Sequence, residues 1–387
     1  MSAEEPLTLD QYQVRSARTD KSESRATSGL NFLLLGLFGE VGSLLSELKK
    51  KQRDKTAYFA YELTSIEELG DVLWYLASVG RTLDLALSAV AGGVPDSAAP
   101  GHYHLVSPVR TFRELQPQRR LFGGPVAGLK VERRLLQLGA KVGTLLTRVD
   151  AAPIDRAAIQ AAITSIFATL VNTADDAEIS LEAAARKNLE KIEGKWPTVI
   201  DWGKSYDANY DQDERFPPVV TIRFKEKCID GKFFVIQQCN GINLGDRLTD
   251  NRKEPDDYRF HDIFHISFAT FLGWSPVLRA LLKLKRKSND LIDEQQDGAR
   301  AIIVEEGISN WVFSQGIRHD LFRSGDSLDF ALLKTIRDMV EGYEVDTRPL
   351  WMWEHSILEA FRVFRLLKDN RGGIVTADLV SHKLQFN

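Results

Sequence analysis

Two apolar stretches near the start of the chain carry carboxylates at helical spacing. The first, GEVGSLLSELKKK, contains Glu40 and Glu47, and the second, EELGDVLWYL, contains Glu68 and Asp71. Residues one or two turns apart lie on the same side of a helix, so each stretch turns its two acids the same way. Carboxylates that face one another across a helix pair repel unless they share protons or bind a cation. An all-oxygen site of this kind favours Mg²⁺ or Mn²⁺.

These stretches resemble the MazG-like, all-α nucleoside triphosphate pyrophosphohydrolases, whose signature is E-x-x-E on one helix and E-x-x-D on the next. The resemblance implies that Glu40, Glu68 and Asp71 bind Mg²⁺ (or Mn²⁺) and that an NTP or dNTP is hydrolysed to monophosphate and pyrophosphate. Ser43 stands where the family has its fourth carboxylate. Glu47 lies one turn further on, about 5.4 Å along the axis. We therefore expect Glu47 to replace that acid only in part, in contact with water or with the ligands.

A later stretch adds candidate substrate contacts. Residues 180–197, SLEAAARKNLEKIEGKWP, resemble the closing helix of the same family, in which an Asn and a Lys lie near the nucleotide. The resemblance implies this role for Asn188 and Lys191, which share a helix face. Asn can hydrogen-bond a base, sugar or phosphate, and Lys supplies a counter-charge. The alternative is an ordinary charged helix. Lys50 either complements its helix dipole or binds substrate phosphate.

The first helix pair resembles a later stretch of the chain, either because it is repeated there or because two amphipathic helix pairs look alike by chance. Residues 135–149, LLQLGAKVGTLLTRV, repeat the apolar spacing of LLGLFGEVGSLLSEL, and residues 163–181 repeat that of the second helix. The alignment sets Lys141 against Glu40, Thr144 against Ser43, Ala162 against Glu68 and Ser165 against Asp71. We therefore expect an internal duplication whose second copy lacks the acids.

This duplication bears on how the site is assembled. MazG-like proteins are usually helical dimers or higher oligomers. A tandem repeat would therefore form an internal pseudo-dimer within one chain. A homodimer is the other arrangement that the resemblance allows. The first copy shows no closing helix before a Gly- and Pro-containing loop at residues 91–101. One site assembled from both copies is the expected result.

A second group of metal-binding residue types lies in the other half of the chain. The segment YRFHDIFHISFATFLGW offers His261, Asp262 and His265, with the imidazoles at i and i+4 on one helix face. The segment GARAIIVEEGISNWVFS adds Glu305 or Glu306 from an apolar helix. A second metal or acid–base centre is one interpretation. The alternative is that these side chains pair with one another or with the nearby arginines, namely Arg259, Arg286 and Arg300.

The elements that carry these groups predict a mostly α protein. We expect a helical bundle over residues 1–200, a polar and aromatic linker ending at Pro218, and an α+β domain over residues 218–387. The latter opens with a β-hairpin that turns at Asp230-Gly231. Pairing across this turn sets Cys228 beside Phe233 and Cys239 beside Ile222, so both thiols are expected to be free.

Composition sets broader bounds. The chain has 387 residues, which is enough for two domains, and its 43% hydrophobic and 27% charged residues are ordinary for a globular protein. A net charge of −4 gives no reason to expect nucleic-acid binding. We expect no membrane helix and, because the start MSAEEPLTLDQYQ is polar, no signal peptide. A cytoplasmic nucleotide hydrolase is the main expectation. The alternative is a degenerate nucleotide sensor or scaffold whose C-terminal domain is the effector.

Overall fold

The computed structural model describes residues 5–20, 29–93, 110–117, 126–150, 155–325 and 327–387. The chain divides into two compact units, residues 1–196 and 197–387. Each unit has its own apolar core. The first is built of helices, and the second combines helices with an antiparallel sheet. The expectation of a mostly helical protein with an α+β C-terminal part is confirmed.

The first unit is a helical bundle whose long helices pack in pairs. Its helices are α1 (Leu9–Ala17), α2 (Gly29–Asp54), α3 (Tyr61–Thr82), α4 (Leu87–Gly92), α5 (Phe112–Leu115), α6 (Leu129–Asp150), α7 (Arg156–Asp176) and α8 (Leu181–Lys195). Helix α2 packs on α3, α6 packs on α7, and α2 also packs on α6. Leu37, Val41, Leu44 and Leu48 recur at helical spacing and are buried, which explains why α2 turns this face inward. Most of the predicted loop 91–101 lies outside the described residues.

Helix α8 is held closely against α3. Ser180 caps its first turn by accepting a hydrogen bond from the Ala183 amide. Gly70 on α3 permits the close contact, since a Cβ there would lie 2.6 Å from the Ala184 carbonyl oxygen and 2.9 Å from the Asn188 Cβ. The α8 residues that point at α3 are therefore fixed at short range.

The second unit packs its helices against a five-stranded sheet. Its strands are β1 (Val219–Ile229), β2 (Lys232–Cys239), β3 (Ile242–Leu248), β4 (Gly372–Asp378) and β5 (Lys383–Phe386), and its helices are α9 (Asp262–Leu272), α10 (Pro276–Leu282), α11 (Asp290–Gln295), α12 (Ala299–Arg318), α13 (Phe330–Met339) and α14 (Leu350–Asn370). The strand order is β3-β2-β1-β4-β5, and every neighbouring pair is antiparallel. Helices α9 and α14 pack on each other and against β4 and β5.

The predicted hairpin is confirmed, including its register. Asp230 and Gly231 have φ angles of 53° and 75°, the left-handed conformation that a two-residue hairpin turn requires. Cys228 pairs with Phe233 and Cys239 with Ile222, and both thiols are free. The sequence reasoning did not find β3, β4 or β5.

The segment predicted as an interdomain linker packs as part of the second unit. The Trp202 ring lies 4.8 Å from that of Trp351 and 5.8 Å from that of Phe271, measured between centroids. The carboxylate of Asp207, buried in this unit, forms an ion pair with Arg279. Aromatic side chains that the sequence analysis placed in a linker are thus anchors of the C-terminal core.

Two helical stretches, Gly29–Ala57 and Arg156–Asp176, are long and apolar enough to cross a membrane. This finding differs from the expectation that the chain has no such stretch. Length and composition are weak evidence here, because core helices of soluble proteins meet the same criteria. In this structure both stretches contribute buried side chains to the core of the helical unit.

Candidate metal centres

Three of the predicted acids converge where α2 meets α3. Glu40 comes from α2, and Glu68 and Asp71 come from successive turns of α3. Each offers a carboxylate oxygen, and these oxygens all lie within 4.8 Å of one another. All three residues are partly buried. We call these three residues the acidic cluster.

The electrostatics of the acidic cluster show uncompensated negative charge. Burial, followed by the charges of Asp71 and Glu40, raises the pKa of Glu68 to about 8. Burial and then Asp71 raise the pKa of Glu40. Burial also raises the pKa of Asp71, although Lys191 opposes that shift. Carboxylates that lie this close together and have raised pKa values are arranged to receive a proton or a metal cation.

Helix α8 supports this cluster from behind. The Asn188 amide donates to Asp71 at 2.8 Å and accepts from the Tyr12 hydroxyl at 2.9 Å. Lys191 lies 2.6 Å from Asp71 and 3.3 Å from Glu67. Asn188 is 2% exposed, so its amide is directed at the protein and fixes the Asp71 carboxylate. The closing helix therefore contacts the acidic cluster through both residues that the resemblance indicated.

Glu67 is a charged neighbour of the cluster that sequence reasoning missed. Its charge acts to raise the pKa of both Glu40 and Asp71. Its ion pair with Lys191 places it on the same side of α3 as Asp71. The signal was present in the sequence, since Glu67 and Asp71 stand at i and i+4 on one helix.

Glu47 and Lys50 lie apart from the three converging carboxylates. Glu47 is buried, accepts a hydrogen bond from Lys50 at 2.6 Å and accepts another from the Tyr58 hydroxyl. The hydrogen bond to Glu47 raises the pKa of Lys50. In this structure Glu47 therefore does not stand in for the acid missing at Ser43, because its carboxylate is already held by two donors.

A second cluster forms in the C-terminal unit, where α9 meets α12. His261, His265 and Glu306 each offer a ligand atom, and these atoms lie within 4.8 Å of one another. The Nε2 atoms of His261 and His265 lie 3.8 Å and 3.6 Å from Glu306 Oε2. We call these three residues the histidine cluster.

The remaining candidate acids surround the histidine cluster. Glu305 is fully buried and accepts from His265 Nδ1 at 2.8 Å, so it orients that imidazole. Its hydrogen bond and charge raise the pKa of His265 against the opposing effect of burial. Asp262 lies 3.2 Å from His261 Nε2 and accepts a hydrogen bond from Gln237. Of the two glutamates proposed from sequence, Glu306 is the one that faces both imidazoles.

One alternative interpretation pairs the histidines and acids of this segment with nearby arginines. The structure does not show such pairing for two of the three arginines. Arg259 pairs with Glu226, Asp250 and Asp257. Arg286 pairs with Asp297 and Glu344. The hydrogen bonds and ion pairs of these two guanidinium groups are thus made outside the histidine cluster.

Comparison with known proteins relates the C-terminal unit to a family. The fold is that of a two-unit, mostly helical protein with a cluster of carboxylates in one unit and a cluster of imidazoles and a carboxylate in the other. Residues 202–387 match the MazG C-terminal domain. The Gene 37 protein of Mycobacterium phage L5 is 34% identical over 88 residues, which cover 21% of this chain and 77% of the phage protein. No solved structure matches significantly. The C-terminal unit is therefore similar to the MazG C-terminal domain.

The family match falls in the half of the chain that sequence reasoning left unassigned. The motifs place the resemblance in the first half, whereas the matched domain begins at residue 202. That start agrees with the structure, because Trp202 packs with the C-terminal unit.

Proposed function

We propose that the N-terminal unit hydrolyses a nucleoside triphosphate, an NTP or dNTP, to the monophosphate and pyrophosphate with Mg²⁺ (or Mn²⁺) as cofactor. The observation that carries this proposal is the convergence of Glu40, Glu68 and Asp71 within 4.8 Å. The match of residues 202–387 to the MazG C-terminal domain supports a nucleotide-related role. The signature E-x-x-D on α3 supports the reaction type.

The chemistry of the acidic cluster suits a hard cation. Its donors are all carboxylate oxygens, the type that Mg²⁺ and Mn²⁺ prefer. Burial and the neighbouring carboxylates raise the pKa of Glu68 to about 8, and a bound cation would offset the charge of those carboxylates. The residues present therefore fit the proposed cofactor.

The roles of the side chains follow from their contacts. Bound Mg²⁺ would neutralise charge that develops on the phosphates and lower the pKa of a bound water. Glu40, Glu68 and Asp71 would hold it, with one of these carboxylates orienting the attacking water. Asn188 is a positioning residue, because its Nδ2 donates to Asp71 while its Oδ1 is held by the Tyr12 hydroxyl. Lys191 counters the charge of Asp71 and Glu67 and lies where substrate phosphate would approach.

We also infer that this unit arose by duplication of a helix pair. The turn after α3 and the turn after α7 support this, since Asp84 and Glu178 occupy equivalent positions and both have a φ of 58°. Left-handed backbone is uncommon for such residues, so its recurrence is informative. An equivalent backbone hydrogen bond of 2.9 Å closes each turn. The Leu85 amide donates to the Gly80 carbonyl, and the Ile179 amide donates to the Ala174 carbonyl.

The packing of the copies supports the same inference. Helix α4 follows the first pair and packs on α7, just as α8 follows the second pair and packs on α3. The first copy thus has a short closing helix, contrary to the sequence expectation. Lys141 donates to the Ser165 carbonyl at 3.3 Å and to Thr169 at 2.6 Å, so the position aligned with Glu40 again contacts the one aligned with Asp71. A lysine in place of the acid makes this second location unsuitable for a cation.

Hydrolysis assays with a matched pair of variants test the proposal. The purified chain is incubated with each NTP and dNTP and with Mg²⁺ or Mn²⁺, and monophosphate and pyrophosphate are quantified. We expect Glu68→Gln to abolish product formation, because the substitution removes a ligand carboxylate. Glu62→Gln is the control, since Glu62 is exposed on the same helix. Turnover that persists in Glu68→Gln would exclude the acidic cluster as the active site.

A nucleotide sensor is the second candidate, and one observation favours it. Ser43 leaves the cluster one carboxylate short of the family signature, and Glu47 is held by Lys50 and Tyr58 instead. A site with three acids would bind a metal nucleotide yet turn it over slowly or not at all. Equilibrium binding of a triphosphate without product release, lost in Glu68→Gln, would identify this function and leave the C-terminal unit as the effector.

A further inference from the structure

The histidine cluster contains a buried nitrogen that no protein group satisfies. His265 is 0% exposed, and its Nε2 has no hydrogen-bond partner. Buried polar atoms are normally hydrogen-bonded because leaving them unpaired is unfavourable, so an unpaired one calls for an explanation such as a bound ion. The Nε2 of His265 lies 3.6 Å from Glu306 Oε2. That separation is too long for a hydrogen bond, but it suits two atoms that bind one ion between them.

The second imidazole is prepared in the same way. His261 stands one turn before His265 on the same face, and its Nδ1 lies 2.9 Å from the Tyr258 carbonyl oxygen. Its ring also stacks on that of Tyr258, with centroids 4.1 Å apart and planes 4° apart. Donation from Nδ1 leaves the lone pair on Nε2, which lies 3.2 Å from Asp262 and 3.8 Å from Glu306. Both histidines thus present Nε2 to one point.

Glu305 completes the arrangement as a positioning residue. Its carboxylate accepts from His265 Nδ1 at 2.8 Å, from the Ser275 hydroxyl at 2.6 Å and from the Val277 amide at 2.7 Å. A carboxylate that holds the far nitrogen of a histidine fixes the ring and raises its basicity as a metal ligand. The consecutive acids of α12 therefore differ in role. Glu305 is held by three donors of the protein, whereas the carboxylate of Glu306 faces the two imidazole Nε2 atoms.

We propose that His261, His265 and Glu306 form a binding site for a first-row transition-metal dication, with Zn²⁺ as the best-fitting ion, in the C-terminal unit. Two imidazoles and one carboxylate are ligands that favour Zn²⁺ or Fe²⁺ over Mg²⁺. The Glu306 side chain is 43% exposed while those of the histidines are 8% and 0% exposed, so the ion is reached from the glutamate side. Three protein ligands with one open side are typical of catalytic rather than structural zinc.

The test uses the full-length protein, stripped with a chelator and then dialysed against a slight molar excess of Zn²⁺ over the chain, in the presence of a large excess of Mg²⁺. We expect about one tightly bound Zn²⁺ per chain by elemental analysis, and a tetrahedral Co²⁺ absorption spectrum when Co²⁺ replaces it. His261→Gln and Glu306→Gln should each weaken binding by at least about 10-fold, the lower end of the effect known for groups that merely support a ligand. Glu306→Gln is the safer variant for folding, because Glu306 is only partly buried.

Matched controls separate this site from other binding. His319→Gln and Glu341→Gln change exposed residues of the same unit and should leave Zn²⁺ affinity unaltered. Glu68→Gln alters the acidic cluster and should also leave it unaltered, so that the two proposals fail or succeed separately. Absence of stoichiometric Zn²⁺, or affinity unchanged in both His261→Gln and Glu306→Gln, would overturn the inference.

Discussion

The two clusters differ in how their charge is balanced, although each draws its ligand groups from two helices. In the acidic cluster, Glu40, Glu68 and Asp71 oppose one another, and Lys191 offsets part of their charge. In the histidine cluster, Glu306 faces two imidazoles, and Glu305 is fixed by hydrogen bonds. The first arrangement calls for a hard cation, and the second for a softer one. We therefore expect the two clusters to prefer different metals.

The raised pKa of Glu68 leads to a prediction about stability and pH. Its pKa rises from an ordinary value of 4.5 to about 8 on folding, so the folded state binds the proton more tightly. The stability from this group is complete below pH 4.5 and is lost as pH rises through about 8. We expect the apparent Tm without metal to fall over this window, as measured by circular dichroism.

Two further measurements check this prediction, one with the Glu68→Gln variant and one with added Mg²⁺. Glu68→Gln cannot ionise and should flatten that decline, whereas exposed Glu62→Gln should keep it. Saturating Mg²⁺ should raise Tm most at the alkaline end, since it binds the deprotonated carboxylates. An identical decline in the wild type and in Glu68→Gln would show that this carboxyl is not the group that titrates.

Helix packing determines at which glycines of α2 and α3 an added side chain would disturb the acidic cluster. Gly70 stands where α8 crosses α3, and a Cβ would meet backbone at 2.6 Å. Gly42 on α2 would meet nothing within 4 Å. We expect Gly70→Ala to destabilise the first unit by about 1–3 kcal/mol, because overpacking pushes α8 and its Asn188 away.

The same substitution at Gly42 should act in the opposite direction. Alanine has the higher helix propensity, so Gly42→Ala should stabilise by about 0.5–1 kcal/mol. Urea denaturation of both variants measures the two free energies of unfolding. Equal effects at the two positions would contradict the packing described for α8 on α3.

Helical elements were predictable from the sequence where periodicity was strong, and so were the contacts that periodicity implies. The spacing of Glu68 and Asp71, and of His261 and His265, indicated which side chains share a face. Periodicity does not indicate which residues meet in the tertiary structure. The hydrogen bonds of Glu47 and Asn188 are made with residues that are distant in sequence or on a neighbouring turn. Strand β4 was missed because it pairs with β1 across most of the C-terminal unit.

The division into two units predicts that each site survives without the other unit. The two apolar cores share no residue, and the break at residues 196 and 197 follows directly on the end of α8. We expect fragments 1–196 and 197–387 each to unfold cooperatively when expressed alone. The first should retain Mg²⁺-dependent product formation and the second should retain Zn²⁺, measured by the same assays as for the full chain. An N-terminal fragment that folds and binds triphosphate but makes no product, beside an active full chain, would show instead that the MazG C-terminal domain completes the active site.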